Sequence, residues 1–166
     1  MLSAEINIRR ASRSDIPRIV ELWEALGWLH RKKYGYDNEL FRQKKNSVSL
    51  YKIFLSKRVR ARNVAVFVAE VDGRIIGHVI VSGNTLRPPL FVHGKEAFID
   101  EIFVEESYRR KGIGTKLLEE AEAWAKKRGI FSIGLFVSTK NKGAFSAYRK
   151  SGFFEHHMKM SKIIIK

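Results

Sequence analysis

Two glycines one residue apart stand between a predicted strand and a predicted helix, and this junction constrains the fold more than any other stretch. Residues 97–104 are predominantly apolar, as in a buried strand, and the helix begins around Gly112 and Gly114. Gly129 is a suitable end for this helix. Its apolar residues share one face, and they are Leu117, Leu118, Ala121, Trp124 and Ala125. A strand that passes directly into an amphipathic helix is typical of α/β proteins.

The same junction has the properties of an anion-binding site. A helix N-terminus presents unpaired backbone N–H groups and the positive end of the helix dipole. Glycines allow an anion close to the backbone, and Arg109, Arg110 and Lys111 add positive charge. The spacing does not fit a P-loop, and the third glycine of a dinucleotide-binding fingerprint is missing beyond Gly114. The sequence therefore predicts a site for a different anionic ligand.

The rest of the chain alternates between predicted strands and helices. The predicted strands are 6–11, a hairpin over 64–82 that turns at Asp72-Gly73, 97–104, 130–138 and a closing strand over 153–165. The predicted helices are 12–28 with a cap at Ser14 or Asp15, a segment that starts at Ser47, the helix after Gly112, and 141–152. Residues 83–96 are predicted to be a loop because they contain Pro88 and Pro89. We expect one domain over residues 1–166, an α/β fold with a mixed sheet.

Charge and composition limit the classes of function. Lys and Arg number 32 against 17 Asp and Glu, a net charge of +15, which favours anionic partners such as nucleic acid, a phosphorylated cofactor or an acidic protein. The absence of cysteine excludes thiolate nucleophiles and cysteine zinc sites, and no ligand cluster predicts a metal. No apolar run is long enough to cross a bilayer, so we expect no membrane partner and a cytoplasmic location.

Two blocks of the sequence resemble the GNAT superfamily, the Gcn5-related N-acetyltransferases. The first is Arg-x-x-Gly-x-Gly from Arg109 to Gly114, placed after a strand and before a helix. The second is Asn-x-x-Ala-x-x-x-Tyr-x-x-x-Gly-Phe, from Asn141 through Tyr148 to Phe153. Residues 6–23 are also similar to the first strand and helix of the family, whereas residues 28–62 match it least. The resemblance implies a GNAT-type fold, a central mixed twisted sheet flanked by helices.

The resemblance implies acetyl-CoA as the acyl donor and assigns its binding residues. The backbone of Ile102, Phe103 and Val104 would pair with the pantetheine arm, and an N–H near Val104 would stabilise the oxyanion. Asn141 would anchor the amide region of the cofactor. Tyr148 would bind beside the thioester and protonate the departing thiolate as the general acid. The pyrophosphate would be held by Arg109, Arg110, Lys111, Gly112, Ile113, Gly114 and Thr115.

An amine acceptor must lose a proton before it attacks, and Asp100 and Glu101 are the candidate bases. Apolar neighbours on the strand would desolvate either carboxylate and raise its pKa. Adjacent strand residues face opposite sides, so only one would face the site unless a kink breaks this alternation. Resemblance to polyamine acetyltransferases favours Asp100, and both carboxylates could instead simply pair with basic residues. His156 and His157 are expected to be packing or surface residues.

Three functional hypotheses follow. The first is an N-acetyltransferase in which acetyl-CoA and a primary amine react directly in a ternary complex. The second is a basic nucleic-acid-binding module, because residues 30–45 and 56–63 interleave basic and aromatic side chains, although no recognition motif is present. The third is an acyl-CoA-binding protein without catalysis. The basic character of residues 28–62 favours an acidic peptide, a protein amine or an anionic small molecule as acceptor, whereas the acidic strand and residues 104–107 favour a polyamine, so a protein or peptide amine and a small-molecule amine both stay open. The resemblance is compatible with a homodimer.

Overall fold

A five-stranded mixed sheet with helices on both faces organises the chain, as seen in a computed structural model that describes residues 5–35, 41–86, 90, 92 and 94–164. The strands lie in the order of the sequence: β1 (Ile6–Arg10), β2 (Val64–Val71), β3 (Arg74–Leu86), β4 (Lys95–Val104) and β5 (Ile133–Leu135). The helices are α1 (Ile16–Tyr34), α2 (Ser47–Arg58), α3 (Ile113–Lys126) and α4 (Lys142–Lys150). Neighbours from β1 to β4 are antiparallel, and β5 is parallel to β4. The predicted α/β fold with a mixed sheet is confirmed.

The hairpin of β2 and β3 turns where the sequence predicts. Asp72 and Gly73 both have positive φ, 49° and 75°, which the tightest hairpin turn requires and which Asp-Gly pairs adopt readily. β3 continues to Leu86, so it takes up the first part of the loop predicted over 83–96. Pro88 and Pro89 lie outside the described residues.

Two apolar layers hold the helices on the sheet. On one face α1 and α2 bury Ile19, Leu22 and Leu55 against β2 and β3. On the other face α3 buries Leu117 and Trp124 against the centre of the sheet. The two faces of β4 therefore meet different helices, and the candidate site residues divide between them.

Helix α1 is longer than predicted. It runs to Tyr34 and ends at Gly35, which has the positive φ of 68° common at helix C-termini. His30 consequently lies on α1, beyond the predicted end of the helix at residue 28. The predicted helix from Ser47 is confirmed as α2.

The predicted closing strand over 153–165 is wrong for its described part. Residues 153–164 form no strand, and β5 keeps only Ile133–Leu135 of the predicted 130–138. A strand needs a hydrogen-bonded neighbour and a face to bury. Met158 and Met160 are instead 82% and 87% exposed. The alternation of apolar residues in this segment therefore does not produce a strand within the described chain.

Candidate active site

The sheet opens between β4 and β5, and this opening is the centre of the site. The two parallel strands pair only from Ala97↔Ile133 to Ile99↔Leu135. β4 then continues to Val104 while still paired with β3 on its other side. From Asp100 onward the β5-side edge of β4 has no strand neighbour in the described chain. The backbone groups on that edge make no strand pairs there and can bind an extended ligand, except that the Val104 carbonyl accepts from Arg109.

The N-terminus of α3 follows at the end of β4. Arg110 and Gly112 adopt positive φ of 61° and 77°, which turns the chain sharply into the helix. The backbone N–H of Lys116 makes an intrahelical bond, to the Gly112 carbonyl, and no described side chain caps the amides that precede it. A Cβ on Gly114 would contact no atom within 4 Å, so open space lies beside these amides. This arrangement can hold an anion close to the backbone.

The three basic residues before the helix have different surroundings. The Nε of Arg109 donates to the Val104 carbonyl at 2.8 Å, and its guanidinium lies 5.4 Å from the centroid of the Phe103 ring. Arg109 therefore fixes the end of β4 to the turn. Arg110 and Lys111 are exposed, and both lie beside the free amides in sequence. Ile113 is buried in the core, so only its backbone faces the turn, and Thr115 is exposed.

Tyr148 lies on α4 and packs on the α3 side of the sheet. Its ring contacts Phe153 edge-on, with centroids 5.8 Å apart, and Tyr148, Ile102 and Val104 pack against the same core cluster. Burial raises the pKa of the Tyr148 phenol to about 12, so the hydroxyl stays protonated. Within the described chain this hydroxyl makes no hydrogen bond. Asn141 caps the same helix by accepting from the Ala144 N–H at 3.1 Å.

Asp100 and Glu101 both reach side chains on the α1–α2 side of the sheet. The pairing of β3 with β4 shifts register between Ile80 and Val81, because Ile80 pairs with Glu101 and Val81 pairs with Ile99. Asp100 is thus the extra residue of a β-bulge, and a bulge redirects side chains. The bulge is therefore the kink that breaks strand alternation, and for this reason both carboxylates reach the same side of the sheet.

Asp100 is occupied by a basic partner. The Nη2 of Arg58 on α2 forms an ion pair with its carboxylate, and the Ser82 hydroxyl donates to the other oxygen at 3.2 Å. Burial raises the pKa of Asp100, while Arg58 and Ser82 oppose that shift. This is the ion-pair alternative that the sequence left open, and it applies to Asp100 alone.

Glu101 instead joins a network with a tyrosine and a buried histidine. The Tyr51 hydroxyl on α2 donates to its Oε1 at 2.9 Å, and the Nε2 of His78 on β3 lies 2.5 Å from the same oxygen. His78 has an exposure of 0%. Trp23 on α1 stacks on the Tyr51 ring with centroids 4.2 Å apart and planes 8° from parallel. The Glu101 side chain itself is 14% exposed, so it is largely desolvated but reachable.

The sequence profile of the acetyltransferase (GNAT) family matches residues 23–153. The chain belongs to this family. The matched region runs from α1 through α4, so it includes the opening of the sheet, the α3 N-terminus and all the carboxylates and tyrosines described above.

Relatives of known sequence are also acetyltransferases. An uncharacterized N-acetyltransferase of Methanocaldococcus jannaschii is 34% identical over 149 residues, 89% of this chain and 60% of that protein. An N-alpha-acetyltransferase of Sulfurisphaera tokodaii is 33% identical over 108 residues, 61% of this chain and 64% of that protein. The matched regions therefore span less than two thirds of the length of these two relatives.

A solved structure with the same fold is the aminoglycoside N-acetyltransferase AAC(6′)-Iy in complex with the bisubstrate analogue CoA-S-monomethyl-acetylneamine. It superposes with a TM-score of 0.76 and 17% identity, over 98% of this chain and 100% of that chain. At this level of identity the similarity shows the GNAT fold.

Two residues of the Glu101 network, Tyr51 and His78, are not predicted from the sequence. His78 is the single titratable residue in the apolar run of β3. A buried polar side chain needs a hydrogen-bond partner, so the position of His78 in the sequence could have indicated a polar contact inside the fold. Tyr51 lies in the region that resembles the family least. His156 and His157 are exposed, and their assignment as packing or surface residues without a catalytic role stays a prediction.

The sequence predicts neither a group of metal ligands nor a membrane-spanning helix. Over these residues no group of three His, Asp or Glu side chains could hold a metal ion. None of the helices in the same ranges is both long and apolar enough to cross a membrane.

Proposed function

We propose that the protein is an N-acetyltransferase that transfers the acetyl group of acetyl-CoA directly to a primary amine. The observation that carries this proposal is the opening of β4 from β5, which ends in the uncapped amides at Gly112–Thr115 and has Glu101 on its other side. An extended acyl-CoA fits the free edge of β4 with its pyrophosphate at the helix N-terminus. The amine then approaches from the α1–α2 side.

The donor is held mainly by backbone groups in this proposal. Ile102, Phe103 and Val104 pair with the pantetheine arm, and an N–H near Val104 stabilises the oxyanion that develops on the thioester. The turn from Arg109 to Thr115 holds the pyrophosphate. Asn141 uses its carbonyl oxygen to cap α4, which leaves its side-chain N–H groups for the cofactor.

The proposed chemistry balances with two protein groups. Glu101 takes one proton from the ammonium, and the neutral amine nitrogen forms a C–N bond to the thioester carbon. The C–S bond breaks, and Tyr148 donates its phenolic proton to the CoA sulfur. The phenolate then takes the second amine proton. The products are the N-acetyl amine, CoA thiol and one proton, which Glu101 releases to solvent. Asp100 stays paired with Arg58 throughout.

The pair of carboxylates on β4 supports an acceptor with one charged amine. Arg58 already neutralises Asp100, so of Asp100 and Glu101 only Glu101 has no arginine or lysine partner in the described chain. A polyamine or aminoglycoside carries several ammonium groups and needs several acidic contacts. We therefore favour a protein or peptide amine, in line with the N-alpha-acetyltransferase of Sulfurisphaera tokodaii. CoA release with peptides, spermidine and an aminoglycoside compares these classes directly.

Calorimetric titration with acetyl-CoA tests the donor site, and Gly114→Leu is the informative variant. Its side chain enters open space, so the fold tolerates it, but it occupies the volume assigned to the pyrophosphate. We expect acetyl-CoA affinity to fall about 10-fold to 100-fold, the loss that follows when a backbone–anion contact is blocked.

Gly94→Leu is the matched control, since a Cβ there also meets no atom within 4 Å. It should bind acetyl-CoA as the unmodified protein does. Failure of the unmodified protein to bind acetyl-CoA would contradict the proposed function. Equal affinity of Gly114→Leu and the unmodified protein would remove the α3 N-terminus from the donor site.

We also propose that two copies associate through the C-terminal third of the chain. Large apolar side chains cluster here in exposed positions, and exposed apolar patches commonly mark interfaces. They are Phe131, Phe136, Phe154, Met158, Met160, Ile163 and Ile164. Light scattering should give a dimer for the unmodified protein and for the control Ser161→Glu, and a monomer for Phe154→Glu combined with Met160→Glu. A monomeric unmodified protein would contradict the proposal.

A further inference from the structure

The two oxygens of the Glu101 carboxylate have different surroundings. Oε1 receives both the Tyr51 hydroxyl and the His78 ring nitrogen. Oε2 has no hydrogen-bond donor among the described residues. A carboxylate with one oxygen held by two donors keeps a fixed orientation, and its second oxygen remains free to accept a proton.

The surroundings of His78 assign its tautomer. Its Nδ1 is buried and has no partner in the described chain. A hydrogen on Nδ1 would be a buried donor without an acceptor, which costs more than a lone pair left in the same place. A charged imidazolium would carry that same unpaired donor and a buried charge as well. His78 is therefore neutral, with its hydrogen on Nε2, and it donates to Oε1.

Tyr51 is fixed as the second donor. Stacking on Trp23 sets the plane of its ring, and burial together with the Glu101 charge raises the pKa of its phenol, so it stays protonated. Two further titratable groups surround the carboxylate. His30 on α1 interacts electrostatically with Glu101, and burial lowers the pKa of His30. Asp100 adjoins Glu101 on β4 and is paired with Arg58 from α2.

We propose that His78 is a positioning residue of the acetyl-transfer site: its Nε2–H, together with Tyr51, holds Oε1 of Glu101 and leaves Oε2 to take the proton of the acceptor amine. This inference rests on the proposed N-acetyltransferase function. His78 itself touches neither substrate and gains no net proton during the reaction. Its effect is to stabilise the ionised, correctly oriented carboxylate.

Two substitutions of His78 distinguish the effect of its hydrogen bond to Glu101 from the effect of its packing in the core. His78→Gln places an amide N–H near the position of Nε2 and keeps the donor, whereas His78→Leu fills the space and removes it. We expect kcat/KM of His78→Leu to fall about 10-fold to 100-fold, the effect of losing a hydrogen bond to a charged group. His78→Gln should stay within about 3-fold of the unmodified protein. Acetyl-CoA affinity should be unchanged in both.

The pH dependence of kcat/KM distinguishes a positioning role of His78 from a purely structural one, because loss of packing alone would not shift it. Without the His78 donor the carboxylate loses one of the two hydrogen bonds that stabilise its ionised form. The ascending limb of kcat/KM should therefore move about one pH unit upward in His78→Leu and stay in place in His78→Gln. An unmoved limb in His78→Leu would overturn the inference, as would equal losses of activity in the two variants.

Two measurements cover the remaining outcomes. If His78→Leu does not fold, Tyr51→Phe keeps the stacking on Trp23 and removes the other donor to Oε1, and the limb should again move upward. The ¹⁵N NMR signals of His78 in the resting protein should be those of a neutral Nε2–H ring, and any other tautomer would overturn the inference. An unmodified protein that shows these signals but neither binds acetyl-CoA nor acetylates an amine would instead contradict the proposed function.

Discussion

Glu101→Gln should lower kcat by about 100-fold to 1,000-fold at neutral pH, the size of a general-base contribution. The glutamine carbonyl can still accept from Tyr51 and His78, so the network on Oε1 is retained. An amide cannot take a proton, so the ammonium of the acceptor loses its base. Acetyl-CoA affinity, measured by calorimetry, should stay the same because the carboxylate lies on the other side of β4 from the core cluster around Tyr148.

The pH dependence identifies the cause of that loss. A peptide α-amine has a pKa of roughly 8 and a lysine ε-amine one of roughly 10, so a growing fraction of either acceptor arrives deprotonated as the pH rises. The deficit of Glu101→Gln should therefore shrink steadily between about pH 7 and about pH 10. A deficit that stays constant over this range would mean that Glu101 is not the base.

Two companion variants test the specificity of the result. Glu96→Gln lies on the same strand and can keep the bond from the Ser132 hydroxyl, which is 3.1 Å from its Oε1. It should retain activity. Asp100→Asn removes the charge that pairs with Arg58, and we expect a smaller loss than for Glu101→Gln. If Asp100→Asn loses the base-dependent rate and Glu101→Gln does not, the base is Asp100.

The local structure of the proposed donor half of the site could be predicted from the sequence because its signals are local. Gly112 must adopt positive φ at the start of α3, and the apolar face of that helix repeats at helical spacing. Asp72-Gly73 likewise determines its hairpin within a few residues. Each of these features depends on neighbours in the chain, so no knowledge of the folded sheet is needed.

The acceptor half could not be predicted in the same way because it depends on contacts between distant residues. The bulge that turns Asp100 and Glu101 to one side arises from the register between β3 and β4. The bonds of Glu101 join it to Tyr51, 50 positions away, and to His78, 23 positions away. Strand alternation alone predicts opposite faces, and it is correct only where the ladder is regular. The missing closing strand is a related failure, because a strand also depends on a partner elsewhere in the chain.

Tyr148→Phe should lower kcat by about 100-fold while leaving acetyl-CoA affinity unchanged, because it removes only the proton donor for the CoA sulfur. The phenylalanine ring keeps the edge-on contact with Phe153, and the lost hydroxyl has no hydrogen-bond partner in the described chain, so the fold is retained.

Burial raises the pKa of the phenol to about 12, so Tyr148 is protonated throughout the neutral and mildly alkaline range. The deficit should therefore be independent of pH up to about pH 10, in contrast to that of Glu101→Gln. Phe153→Leu is the control for packing, and it should retain most of the rate. A deficit in Phe153→Leu equal to that in Tyr148→Phe would mean that Tyr148 acts through packing, and an unchanged kcat in Tyr148→Phe would remove it from the mechanism.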